Sequence, residues 1–148
     1  MDRVGIEAWL KKYKVSNYII IEDLSVDVNG GVDLSFKGLV EIPVRFGVVS
    51  GNFDCSANKL TSLVGCPTSV GGSFSCFWNR LVSLEGCPVK IGGSFDCNSN
   101  KLIDSEVFLY EYDSEQICQY YKNKKLNKDL KKNSSKDINV ETKKKNKL

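Results

Sequence analysis

Apolar positions in the middle of the chain return every 21 residues, and the returns align without gaps. Residues 51–71 read GNFDCSANKLTSLVGCPTSVG, residues 72–92 read GSFSCFWNRLVSLEGCPVKIG, and residues 93–102 read GSFDCNSNKL before the pattern ends. The alignment makes columns of Phe53, Phe74 and Phe95, of Cys55, Cys76 and Cys97, of Asn58, Asn79 and Asn100, and of Leu60, Leu81 and Leu102. The two full units add Leu63 and Leu84, Cys66 and Cys87, Pro67 and Pro88, and Val70 and Ile91. A degenerate unit precedes them in phase: Leu34, Leu39 and Ile42 take the places of Cys55, Leu60 and Leu63. Lys37 replaces the Asn, and Pro43 lacks the Gly-Cys before it.

Each unit has a physical reading. In F-x-C the side chains alternate, so Phe and Cys point inward and the residue between them points outward, as on a short strand with one buried face. The Asn three residues after the Cys opens a turn, where its amide satisfies backbone groups that the bend leaves unpaired. Leu-x-x-Leu returns two more apolar side chains inward, Pro ends the arc, and Gly-Gly permits a tight corner. A single coil cannot bury its own apolar edge, whereas coils stacked about 4.8 Å apart bury all of them in one core. The repeats are assigned to residues 32–102, with parallel strands on one face and Val32–Leu34 as the first stacked strand.

The flanks read as covers for the two open ends. Ile6, Trp9, Leu10 and Tyr13 keep helical spacing, with Lys11, Lys12 and Lys14 on the other face and Asp2 as N-cap. This predicts a helix over 3–14 that lays Trp9 on the first coil. Asn29-Gly30-Gly31, between Val26-x-Val28 and Val32-x-Leu34, signals a hairpin, which completes an N-terminal cap over 1–31. Residues 103–130 form the expected C-terminal cap. Val107, Phe108, Leu109, Tyr110 and Tyr112 supply apolar bulk as helix or strand, and a capping-box-like Asp113/Gln116 start precedes a helix carrying Ile117, Tyr120, Tyr121 and Leu126 to about 130. The Lys-rich residues 131–148 are expected to be disordered.

The pattern F-x-C-x-x-N-x-L-x-x-L resembles the leucine-rich repeat L-x-L-x-x-N-x-L-x-x-L, with Phe and Cys in the first two Leu places. The variant carrying G-C-P and G-G-S-F is similar to leucine-rich-like repeats of bacteriophage and bacterial proteins. The resemblance covers roughly half of the chain. It implies an α/β solenoid: a short right-handed stack with parallel strands, capped by the N-terminal helix and hairpin and by the C-terminal helix. It also implies recognition rather than catalysis, because such repeats serve as protein-binding scaffolds.

Composition changes this picture in three places. The net charge of +3 is split: residues 122–148 hold eleven Lys against three acids, a net +8, while residues 1–121 carry a net −5. The basic C-terminal stretch offers a charge-driven route to nucleic acid or nucleotide, although eleven Lys without Arg lack a base-reading signature. No apolar run approaches the roughly 20 residues of a membrane span, and no signal-peptide pattern is seen, so the cytoplasm is the default expected location, the host cytoplasm if the chain is phage-encoded. The six Cys stand without any His. Three thiols in a line do not converge as a tetrahedral metal requires, so Cys55, Cys76 and Cys97 read as small buried hydrophobes, Cys66 and Cys87 as a second column, and Cys118 as the accessible thiol. No metal or cofactor is expected.

Without His, and without paired carboxylates or a phosphate-cradling Gly loop, no catalytic constellation emerges, and the expected class is non-enzymatic. The candidate contact face is the outward side of the strands and turns: Asp54, Ser56, Ser75, Phe77, Trp78, Asp96 and Asn98. Phe77-Trp78 stands where the neighbouring coils carry small residues, as a contact hot spot would, and Asp54 and Asp96 flank it. The expected function is protein–protein interaction, with a host protein of defence or takeover as the partner the phage resemblance suggests. The two competing expectations are nucleic-acid or nucleotide binding through the Lys-rich stretch and a structural or assembly role.

Overall fold

The structure, a computed structural model, describes residues 1–102 and nine further positions between 116 and 131, all of them helical. The segment 103–115, most of the helix expected to about 130, and the stretch 132–148 lie outside the described residues.

The stacked coils expected from the period are present. The chain runs through α1 (Arg3–Lys12), β1 (Tyr18–Ile20), β2 (Val26–Val28), β3 (Val32–Asp33), β4 (Phe46–Val49), β5 (Phe53–Asp54), β6 (Ser69–Val70), β7 (Phe74–Ser75), β8 (Lys90–Ile91) and β9 (Phe95–Asp96). Parallel pairing steps through β3, β5, β7 and β9, matching Val32 with Phe53, Phe53 with Phe74 and Phe74 with Phe95. Each step is one repeat, so about three turns of chain build this β-solenoid.

Every coil contributes two strands rather than the one expected. The second sheet has the order β1-β2-β4-β6-β8, parallel except for its first pair. Val49, Val70 and Ile91 stand in register within it. Sequence spacing conceals the repeat strands β6 and β8 because only two residues of each belong to the ladder and only one of them turns toward the interior.

The predicted hairpin at Asn29-Gly30-Gly31 is not formed. β2 and β3 belong to different sheets, and the Gly pair is a corner that carries the chain from one sheet to the other. The antiparallel hairpin lies one element earlier, with Tyr18 opposite Val28 and Ile20 opposite Val26. Alternating apolar residues around Asn-Gly mark a tight reversal equally well in a hairpin or at a solenoid corner, so the local signal did not discriminate.

The corner has a strict requirement. Gly51, Gly72 and Gly93 pile on Gly30 through backbone hydrogen bonds of 2.9, 3.0 and 2.9 Å. Beside them, a Cβ added to Gly71 would stand 2.3 Å from the Ser50 carbonyl oxygen, and one on Gly92 would stand 2.2 Å from that of Gly71. Backbone packed on backbone leaves no volume for a side chain.

Helix α1 begins at Asp2, whose carboxylate accepts the Gly5 N–H at 2.9 Å. It ends two residues earlier than the spacing predicts. Lys14 takes the left-handed conformation (φ 57°), Lys14 N–H bonds Lys11 O and Val15 N–H bonds Leu10 O, the paired bonds of a Schellman ending. Ile6 and Leu10 are buried, and Trp9 meets Phe46 edge-on at 6.3 Å.

The interior is a set of columns. Phe46, Phe53, Phe74 and Phe95 form a continuous aromatic file with centroids 5.3, 5.9 and 5.6 Å apart. Leu60, Leu63, Leu81 and Leu84 are fully buried, as are the thiols of Cys55, Cys76 and Cys97. The burial of each Phe and Leu contributes roughly 1.5–3 kcal/mol, which only stacking can supply to strands this short.

Candidate functional site

The turn after each short strand is built from four stacked positions, and its geometry decides what faces outward. The strand residue at its start is Asp33, Asp54, Ser75 or Asp96. Asp33 accepts the Ser35 N–H at 2.9 Å, Asp54 the Ser56 N–H at 2.8 Å, and Asp96 the Asn98 N–H at 3.0 Å. These carboxylates therefore hold the bend, and the Ser35 hydrogen bonds depress the Asp33 carboxyl below its ordinary range. Asp54 and Asp96, expected to flank a contact spot, are half-buried components of the turn.

Three residues past the Cys, the Asn side chain faces inward. Asn79 donates from Nδ2 to the carbonyls of Cys55, Cys76 and Phe77 at 3.0, 3.1 and 3.3 Å, and its Oδ1 accepts the Leu60 N–H at 3.0 Å. Asn58 and Asn100 repeat the arrangement one coil to either side. Each amide ties its own turn to the preceding coil.

Between these fixed points one residue per coil is forced into the left-handed region: Phe36 (φ 55°), Ala57 (52°), Trp78 (52°) and Ser99 (56°). None is glycine, so each carries roughly 1–2 kcal/mol of backbone strain. Phe36 and Trp78 are 70% and 60% exposed despite their size. They are two coils apart, yet their rings meet edge-to-face at 6.4 Å and 84°, because the coil between them presents only Ala57. Phe36 was missed in the sequence. It lies in the degenerate unit, one turn position before Lys37, and the 21-residue phase carries it onto Ala57 and then Trp78.

The other expected contact residues divide. Ser75 and Phe77 are half-buried, and Asn98 is exposed, its amide bonded to the Asp96 carboxylate at 2.9 Å. Ser56 is only 1% exposed and leaves the contact face. It stands in its column between Ser35 and Phe77, and a hydroxymethyl group lies below the level of a neighbouring Phe. The face that projects is therefore Phe36 and Trp78 rather than the strand row.

The two cysteine columns lie against each other. A hydrogen bond with Cys55 and then burial push the Cys66 thiol well above its ordinary range. Burial, followed by the neighbouring Cys55, does the same to Cys76. Cys97 is pushed up to about 11 by burial and then by the Asp96 charge. Thiols held protonated in this way are poor nucleophiles and poor metal ligands. Among the described residues no group of three or more His, Cys, Asp or Glu is placed to hold a metal ion. Cys118 lies outside the described residues.

Among the described residues no helix is long and apolar enough to cross a membrane. Comparison with protein-family models, with curated proteins and with solved structures finds no significant match.

Proposed function

We propose that the protein is a non-catalytic protein-recognition module, a short stack of leucine-rich-repeat type whose contact site is the aromatic pair Phe36–Trp78. In this reading the stack is right-handed, and α1 and the C-terminal residues cover its ends. The observation that carries the proposal is the pair itself: two large rings mutually packed, exposed, and mounted on strained left-handed backbone. Exposed aromatics cost solvation and these also cost strain, so the site is one where stability is surrendered. A preformed aromatic pair on a rigid rung loses little conformational entropy on binding, which is the behaviour of an interface anchor.

The kinship of the repeat pattern to phage-borne repeats makes a host protein the first partner class to test. The experiment is capture from host lysate by the tagged chain beside a Phe36→Ser, Trp78→Ser double variant. Partner recovery is expected to fall about tenfold or more. Equal recovery by both forms removes the site. Capture of nucleic acid that disappears when residues 122–148 are deleted assigns recognition to the Lys-rich stretch instead.

A further inference from the structure

One column on the same turn makes no side-chain hydrogen bond or ion pair among the described residues. The residue after each ladder Asn is Lys59, Arg80 and Lys101, giving Asn-Lys-Leu, Asn-Arg-Leu and Asn-Lys-Leu in successive coils. Their backbone N–H groups bond Leu39 O, Leu60 O and Leu81 O of the preceding coil at 2.8, 2.9 and 2.8 Å, which fixes them in register, one per rung. All three are exposed, and among the described residues none has an ion pair. Rungs about 4.8 Å apart bring like charges side by side, which is unfavourable. The acidic column on the other flank differs. It is interrupted by Ser75, and its carboxylates are engaged by turn N–H groups.

The cationic column lies two residues beyond the left-handed position that carries Phe36 and Trp78. The resulting strip has three layers along the stack: acids engaged by the turns, an exposed aromatic pair, and cations that have no ion pair among the described residues. We propose that this strip binds an extended acidic segment of a protein partner, its carboxylates along Lys59, Arg80 and Lys101 and an apolar side chain against Phe36 and Trp78. The inference rests on the recognition reading above and names the chemistry of the partner.

Charge decides between a peptide and a nucleic acid strand. Asp33, Asp54 and Asp96 border the aromatics, so a continuous phosphate polymer meets repulsion along one side of the strip. A peptide with a few acidic side chains presents its charge only where the cations stand. Side chains on one face of an extended segment recur about every 6.6–6.8 Å, so three carboxylates cover a span that flexible Lys and Arg stems on three rungs can reach.

The test is a 15N-HSQC titration of the full chain with the hexapeptide Glu-Leu-Glu-Leu-Glu-Leu. A Lys-Leu hexapeptide and a thymidine hexanucleotide serve as the other arms. The expected result is movement of the Lys59, Arg80 and Lys101 amides and of the Trp78 indole with the acidic peptide alone. Affinity should fall about tenfold or more in the Lys59→Glu, Arg80→Glu, Lys101→Glu variant, since each exposed pair contributes a factor of roughly two to five. No movement at millimolar peptide, movement confined to residues 122–148, or tighter binding of the oligonucleotide on the same amides overturns the inference. The two readings fail separately. If the charge-reversed variant still captures the partner while Phe36→Ser, Trp78→Ser does not, recognition stands and the acidic segment falls. If neither variant changes capture, both fall.

Discussion

The two bends of each coil solve the same problem by opposite means. At the corner between the sheets, Gly30, Gly51, Gly72 and Gly93 stack backbone on backbone, and a Cβ added to Gly51, Gly72 or Gly93 would run into the coil before it. At the turn after the second strand, the chain takes a left-handed conformation that would suit glycine, yet Phe, Ala, Trp and Ser occupy it. The first bend is closed by the neighbouring coil, and its stacked column is glycine in every coil. The second opens to solvent, with its backbone secured by the Asn and Asp side chains around it, so its side chains are free to differ. A scaffold that recognises something has to place its variable residues at a bend of the second kind.

That contrast can be broken in graded steps. The largest effect is expected at the closed bend: Gly71→Val forces a Cβ toward a carbonyl oxygen 2.3 Å away and should cost about 3 kcal/mol or more, read as a lowered urea midpoint. A midpoint within error of wild type would show that the corner has slack. Next comes the amide that secures the open bend. Asn79→Ala strips the partner from the buried Leu60 N–H and removes one of two donors from each of three carbonyls, with an expected loss of about 2–3 kcal/mol. The half-buried Asn100 should lose less on the same change, and an equal loss would contradict the assigned burial.

A smaller effect follows from the thiol that leads into the last of these turns. The Cys97 pKa is raised from 9.0 to about 11, so the folded chain holds that proton more tightly than the unfolded chain does. The stability from this difference is complete below pH 9 and is lost as pH climbs toward 11. Denaturation midpoints measured across that window should fall, and Cys97→Ala should flatten the decline. The smallest effect carries the opposite sign. Ala57→Gly relieves the left-handed strain at the open bend and should stabilise the chain by about 0.5–1 kcal/mol in thermal unfolding. Glycine would then be indispensable at one bend and merely relaxing at the other; a loss on Ala57→Gly would erase the distinction.

The interior was legible from spacing because stacking converts sequence period directly into contact. Phe53, Phe74 and Phe95, a repeat apart, become ring neighbours, and so do the thiols. The sites that escaped this logic depend on neighbours outside their own unit. Ser56 reads as outward by alternation, but a bulky Phe77 follows it in the column. The Asn-Gly-Gly signal reads as a hairpin until the strands on either side are seen to pair with other coils. Phe36 and Trp78 are 42 positions apart and meet only because Ala57 is small.

The sequence alone determined the length of the coil, which repeated apolar side chains face inward, and where the chain bends, since these follow from alternation, glycine and a fixed repeat. Tertiary structure decided the rest: that each coil carries two strands, that the acids serve the turns, and that two distant aromatics form one exposed pair. The physical reason is that stacking is cooperative. A residue's surroundings are set by the coils above and below it, and those are a full repeat away along the chain.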